Sequence, residues 1–219
     1  KLADNLTGIT KQAHANLVEG GVDFVDDGNV IKYFKKNGDE FAKITDGEVI
    51  LTTSDGKWPD PSEYLVDEYI ENHLNKYRNE GAGFIVVKRW LEGGNPKYIS
   101  LPERKFVGLR SEMDRIINKY KSQGNDWTVL RDELNLGANT NLADEEIFYV
   151  KIPPNDNRFS FDMPNGNENG AIPGEWIPGG KTGDGTSEAV LVGSDKITHN
   201  KDIEKLLDYF GEEDWEKIR

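Results

Sequence analysis

The sequence predicts an α+β fold: a small N-terminal β-meander followed by a mixed antiparallel sheet with three to four flanking helices. Three observations carry this prediction. Asp27-Gly28, Asn37-Gly38, Asp46-Gly47 and Asp55-Gly56 punctuate residues 22–57 at intervals of nine or ten, and such dipeptides suit the φ > 0 positions of tight hairpin turns. Further on, apolar residues recur at helical spacing in a few separate windows, each the mark of a helix face packed on a core. Strand-like and helix-like segments do not alternate regularly, which speaks against a doubly wound parallel sheet.

In chain order, the meander is built from short runs such as NVIKYF, EFAKI and EVILTT, rich in β-branched and aromatic residues. Pro59 and Pro61 stop any strand, and Ser62 is placed to cap a helix that runs to about Asn79. Leu65, Tyr69, Ile70, His73, Leu74 and Tyr77 form the apolar stripe of that helix. Gly81 to Gly83 end it and release GFIVVKRWL, a continuous apolar run of strand length. A second helix is predicted over Ser111–Ser122, with Met113, Ile116, Ile117 and Tyr120 inward and Ser111 as cap. A shorter one follows over Asp126–Leu134, apolar at Trp127, Leu130 and Leu134. EEIFYVKIPP, NRFSFDM and SEAVLVG read as strands, and Asp202–Phe210 reads as a helix with Ile203, Leu206, Leu207 and Phe210 on one side. The clearest break lies around Ser54–Pro61, dividing an N-terminal β-hairpin module, 1–57, from a larger domain, 58–219.

A chain of 219 residues with 36% hydrophobic content is long enough to bury a sizeable core. The absence of cysteine removes disulfides, thiolate nucleophiles and Cys-based zinc sites, leaving His14, His73 and His199 as soft ligands with no metal-like spacing. A metal site built of carboxylates alone is left open but is not signalled, and no metal is expected. A net charge of -13 makes nucleic acid a less expected partner, because phosphate neutralisation supplies most unspecific affinity. No run of 18 apolar residues occurs, so no membrane span is expected. The N-terminus has no charged-then-apolar leader, and the chain opens at Lys1 without a methionine, which reads as a fragment or a processed product.

The segment Pro164–Glu188 carries seven glycines and three prolines and then runs into an apolar strand. GGKTGDGT shares letters with a phosphate-binding loop but not its spacing, and a strand follows where a helix should. Glu188 stands at the mouth of that strand, and Glu168 lies inside NGNENG, a tight loop that would fix it near backbone donors. A rigid carboxylate can stabilise a developing cation or act as a base; either acid can equally well serve the loop's own amides. His73 falls on a buried stripe, where a histidine is more often a hydrogen-bonded core residue than a catalyst. Arg89, Arg110 and Arg158 lie near element ends, placed either to grip phosphate or to pair with carboxylates. Trp176, between glycines and prolines, either anchors the loop or stacks on a planar ligand.

YIENHLNKYRNEGAGFIV, KFVGLRSEMDRII and MPNGNENGAIPGEWIPGGKTGDGTSEAVL resemble the C-terminal toxin domains of bacterial polymorphic toxins, the variable tips of Rhs-type and contact-dependent-inhibition proteins. The resemblance covers residues 62–193, and DDGNVIKYFKKNGDEFAKI is similar to the hairpins that lead into such tips. It implies a secreted effector delivered into a neighbouring cell, acting on a target in that cell's cytoplasm, and neutralised by a cognate immunity protein. It does not name the reaction.

Two reaction classes follow. The order of Arg89 on GFIVVKRW, Ser111 after KFVGLR and Glu188 in TSEAVL is similar to that of ADP-ribosyltransferase and NAD-glycohydrolase folds. That likeness implies NAD as substrate, an arginine on its pyrophosphate, and Glu188 against the oxocarbenium-like centre. The Ser-Thr-Ser triplet of those folds is missing, and Thr186 stands where many members carry a second glutamate or glutamine. The alternative is a metal-independent ribonuclease, with His73 and Glu168 in acid–base roles and Lys181 on the phosphorane. A third reading is a non-enzymatic binding module.

Overall fold

The computed structural model describes residues 22–27, 30–35, 40–44, 58, 60–63, 65, 67–93, 101–171, 176, 178–182, 186–194, 197 and 201–219, with backbone alone for the first three segments. The chain divides into two compact units, Lys1–Leu74 with Met163–Glu188, and Asn75–Asp162 with Ala189–Arg219.

In the first unit, β1 (Val22–Asp27), β2 (Val30–Lys35) and β3 (Glu40–Ile44) form an antiparallel meander. Val25 faces Lys32, Ile31 faces Ile44, and the β2–β3 register shifts between Tyr33 and Phe34. Two of the three runs expected to be strands, NVIKYF and EFAKI, coincide with β2 and β3; EVILTT and the junction at 57/58 lie outside the described residues. Helix α1 (Asp67–Glu80) begins in this unit with Asp67 and Glu68 in its first turn, where carboxylates favour the positive end of the dipole. Ser62 is not its cap. Pro61–Glu63 form a separate 3-10 turn, and the Asp60 carboxylate accepts both the Ser62 amide, at 2.9 Å, and its hydroxyl, at 2.6 Å.

The second unit holds most of a six-stranded sheet in the order β7-β8-β5-β4-β6-β9. Its strands are β4 (Ala82–Val87), β5 (Arg104–Leu109), β6 (Ile147–Ile152), β7 (Ser160–Asp162), β8 (Glu188–Val192) and β9 (Trp215–Lys217). β4 is buried along its whole length and pairs antiparallel with β6 from Ala82↔Ile152 to Val87↔Ile147. β4 meets β5 at Ala82↔Leu109 and Gly83↔Gly108. Both glycines make room: a Cβ at Gly83 would lie 2.6 Å from the Tyr149 ring, and one at Gly108 would lie 2.6 Å from Met113 Sδ.

The strand expected from GFIVVKRWL stops at Val87, and Lys88–Glu92 turn into a short helix, α2. There the Lys88 amide bonds Glu146 O at 3.0 Å, and its ammonium pairs with the Glu146 carboxylate at 3.2 Å. α3 (Arg110–Ser122) buries Met113, Ile116, Ile117 and Tyr120 as its stripe predicts. They join Ile85, Val87, Leu130, Ile147 and Tyr149 in one core cluster, each buried aliphatic contributing about 1.5–3 kcal/mol. Ser111 is not the cap of α3. The helix starts one residue earlier, and the Ser111 amide donates instead to Glu80 Oε1 at 2.7 Å. α4 (Trp127–Glu133) and α5 (Ile203–Phe210) carry side-chain caps, Asp126 on the Thr128 amide and Asp202 on the Glu204 and Lys205 amides. On the sheet face opposite that cluster, Phe84 meets Phe210 of α5 edge-on at 6.1 Å. No helix among the described residues is long and apolar enough to cross a membrane.

Candidate functional site

Glu188, Glu168, His73, Trp176, Lys181 and Thr186 belong to the first unit, and Arg89, Arg110, Ser111 and Arg158 to the second. Each group is described within its own unit.

In the first unit the described residues of the Gly/Pro segment are met by several polar groups. Glu168 is 8% exposed and its carboxylate accepts the Asn165 amide at 3.0 Å and the Gly166 amide at 2.9 Å. The Asn167 side chain pairs with the main chain of Trp58 in both directions, accepting Trp58 N at 3.0 Å and donating to Trp58 O at 2.9 Å. Trp176 packs on Trp58 with ring centroids 5.1 Å apart at 60°. Gly166 lies against both rings, where a Cβ would come within 2.6 Å of each, and its φ of +84° is open to glycine. Trp176 is thus buried against Trp58 and Gly166.

At the far end of the segment, residues 180–182 and 186–188 pair antiparallel. Thr182 N donates to Thr186 O at 2.8 Å, Thr186 N donates to Thr182 Oγ1 at 3.1 Å, and Lys181 bridges Ser187 across the strands. The buried Lys181 ammonium donates to the buried Ser187 hydroxyl at 2.6 Å. Glu188 follows, half-buried, as the first residue of β8. Its amide donates to Gly180 O at 2.8 Å, and its carbonyl lies 2.7 Å from His73 Nε2.

A carbonyl only accepts, so His73 Nε2 carries the hydrogen of that bond. His73 is 4% exposed and is a core residue. Tyr69, one turn earlier on α1, stacks on it with centroids 6.0 Å apart at 20° and donates its hydroxyl to Gly179 O at 2.6 Å. Burial pushes the Tyr69 phenol well above its ordinary value, so it remains a donor. Gly180 has φ +70°, and a Cβ there would lie 2.7 Å from His73 Nε2.

In the second unit every candidate arginine has an acidic partner. Arg89 on α2 bonds Glu145 through two of its nitrogens, Arg110 holds Asp114 at 3.0 Å, and Arg158 grips Asp156 with Nε and Nη2. Arg158 also lies over the Phe159, Tyr209 and Phe210 rings at 5.4–5.7 Å. Burial works to raise the Asp156 carboxyl, but the Arg158 hydrogen bonds and charge outweigh it and hold it below its usual range. A phosphate reaching any of these arginines has to displace a carboxylate. Asp114 additionally accepts the Tyr149 hydroxyl at 2.8 Å, and burial with this bond raises the Tyr149 phenol.

Sequence reasoning did not assign Tyr69, Gly180, Ser187 or Asn167. Tyr69 stands four residues before His73, which puts both on one helix face, and Gly180 follows Gly179 in a segment already marked as irregular. Nothing in the sequence ties Asn167 to Trp58. Among the described residues no group of three or more His, Asp or Glu is placed to hold a metal ion. Comparison with protein-family models, with curated proteins and with solved structures gives no match to this chain.

Proposed function

We propose that the chain is the effector domain of a bacterial polymorphic toxin that acts on NAD in a recipient cell, with Glu188 as the charge-stabilising carboxylate. The supporting observation is the hold on Glu188. Its amide is bonded to Gly180 and its carbonyl to His73, while its side chain starts a strand and is half-buried. A carboxylate fixed before reaction stabilises a developing cation without reorganisation at the moment of bond breaking.

The reaction that uses such a group is heterolysis of the bond between ribose C1′ and the nicotinamide nitrogen. The bonding pair leaves with nicotinamide, which departs neutral, and the positive charge passes to C1′ and the ring oxygen. Water then adds at C1′ and loses a proton, or a nucleophile of the target does so. Thr186 in place of a second carboxylate or amide makes target-modifying transfer less supported than NAD binding itself. The ribonuclease alternative asks His73 and Glu168 for proton transfer. His73 Nε2 is bonded to the Glu188 carbonyl and the Glu168 carboxylate to two loop amides. A cognate immunity protein is the expected partner in the producing cell.

The test incubates the purified chain with NAD and, separately, with total tRNA. The expected result is loss of NAD with release of nicotinamide, reduced about 10²-fold or more by Glu188→Gln at unchanged circular dichroism. RNA fragments with intact NAD would overturn the proposal in favour of a ribonuclease, and neither product would leave a binding module.

A further inference from the structure

We infer that His73 is a positioning residue that holds Glu188 through its main-chain carbonyl, and that Tyr69 holds the neighbouring arm of the loop through Gly179. The inference rests on the assignment of Glu188 as the carboxylate facing the reacting centre, and it replaces an acid–base role for His73, which bonds the Glu188 main chain.

Four observations build it. The Nε2 hydrogen is committed to the Glu188 carbonyl at 2.7 Å, so this nitrogen has no lone pair with which to take a substrate proton. The ring is 4% exposed, and Gly180 lies so close to Nε2 that a Cβ would fall 2.7 Å away, leaving no space for a substrate at that edge. Tyr69 and His73 are four residues apart on α1 and stack at 20°, so one helix face fixes both rings. Their targets, Gly179 O and Glu188 O, stand on the two arms of the hairpin that also closes through Glu188 N and Gly180 O at 2.8 Å. Helix α1 thereby sets the separation and rotation of the arm bearing Glu188. The Tyr69 phenol stacked on the imidazole is kept protonated by burial. With its hydrogen on Nε2, the neutral imidazole donates from that nitrogen just as the imidazolium does.

The experiment compares His73→Gln, which retains a side-chain N–H donor but cannot titrate, with His73→Leu, which has none. NAD consumption is measured against pH for both, and amide hydrogen exchange at Glu188 is followed by NMR. A positioning role predicts that His73→Gln keeps the wild-type pH profile and kcat within a few-fold. His73→Leu should lose about 10²-fold in kcat with KM little changed, and should expose the Glu188 amide to exchange, as expected for a reacting group displaced by about 1 Å. If His73→Gln is as inactive as His73→Leu and one limb of the pH profile disappears, His73 transfers protons and the inference is overturned. Wild-type activity and amide protection in His73→Leu would overturn it equally. Tyr69→Phe, which keeps the ring and loses only the Gly179 bond, gives a second reading if His73→Leu does not fold. Should the wild type leave NAD intact, the proposed reaction has failed, and Glu188 exchange in the same variants still decides whether the hold exists.

Discussion

Gly180→Ala, compared with Gly124→Ala, separates backbone strain from the crowding at His73. The two glycines have nearly the same conformation, φ +70° and +72°, but a Cβ at Gly124 meets nothing within 4 Å, whereas one at Gly180 lies 2.7 Å from His73 Nε2 and 2.9 Å from Met163 Cε. Left-handed backbone costs an alanine about 1–2 kcal/mol, offset by about 0.4–1 kcal/mol through the lower entropy of the unfolded chain, so Gly124→Ala should destabilise by about 0–1.6 kcal/mol. Gly180→Ala adds displacement of the imidazole, with loss of its buried bond to Glu188 O for about 1–3 kcal/mol, and overpacking for about 1–3 kcal/mol more. The expected difference between the variants is therefore about 2–6 kcal/mol, or roughly 1–3 M in urea midpoint at a slope near 2 kcal/mol per M. The assay is urea denaturation followed by tryptophan fluorescence and circular dichroism. Equal midpoints for the two variants would refute the reasoning, since the crowding at His73 would then have no energetic consequence.

Glu168→Ala should cost about 2–4 kcal/mol by stripping the Asn165 and Gly166 amides of a charged acceptor, and Glu168→Gln less; faster hydrogen exchange at those two amides checks it. Lys105, whose ammonium lies 5.4 Å over the Phe84 ring, is lowered by burial to about 8. Its folded value lies below the ordinary lysine value of about 10.4, so the unfolded chain binds more protons between these limits and stability should rise with pH from about 8 to 10. The difference in urea midpoint between wild type and Lys105→Met, measured at pH 7, 8, 9 and 10, should shrink across that window, and a flat difference would refute the assignment.

The elements that were legible in the sequence are those whose cause is local. α3 shows its inward face as Met113, Ile116, Ile117 and Tyr120, and Asp126 and Asp202 cap the helices they precede. The missed elements depend on distant partners. β5, RKFVGL, opens with two cations and contains a glycine, and its pairing with β4 depends on Gly83 facing Gly108. β1, VDFVDD, has an acidic composition disfavoured in strands and becomes one by pairing with β2. Ser111 has the residue type of a cap, yet its amide is met by Glu80, 31 positions earlier. The same division holds at the candidate site. The helical stripe indicates that His73 is buried, and NGNENG indicates that Glu168 lies among backbone donors. That the imidazole takes the carbonyl of Glu188 is a contact across 115 positions, which no local pattern encodes.

The Glu168 carboxylate bears on the chemical ageing of the protein. Asn165-Gly166 is an Asn-Gly pair, the type most open to deamidation, a reaction in which the glycine amide nitrogen attacks the asparagine side-chain carbon and expels ammonia. In the folded loop that nitrogen donates to Glu168 at 2.9 Å, and the Asn165 side-chain oxygen accepts the Asn167 amide at 2.9 Å. Both reacting groups are thus held by other partners while the loop is closed. Conversion to aspartate or isoaspartate proceeds from opened molecules, so the rate at which stored protein gains one mass unit at Asn165 is a clock of how often this loop comes undone.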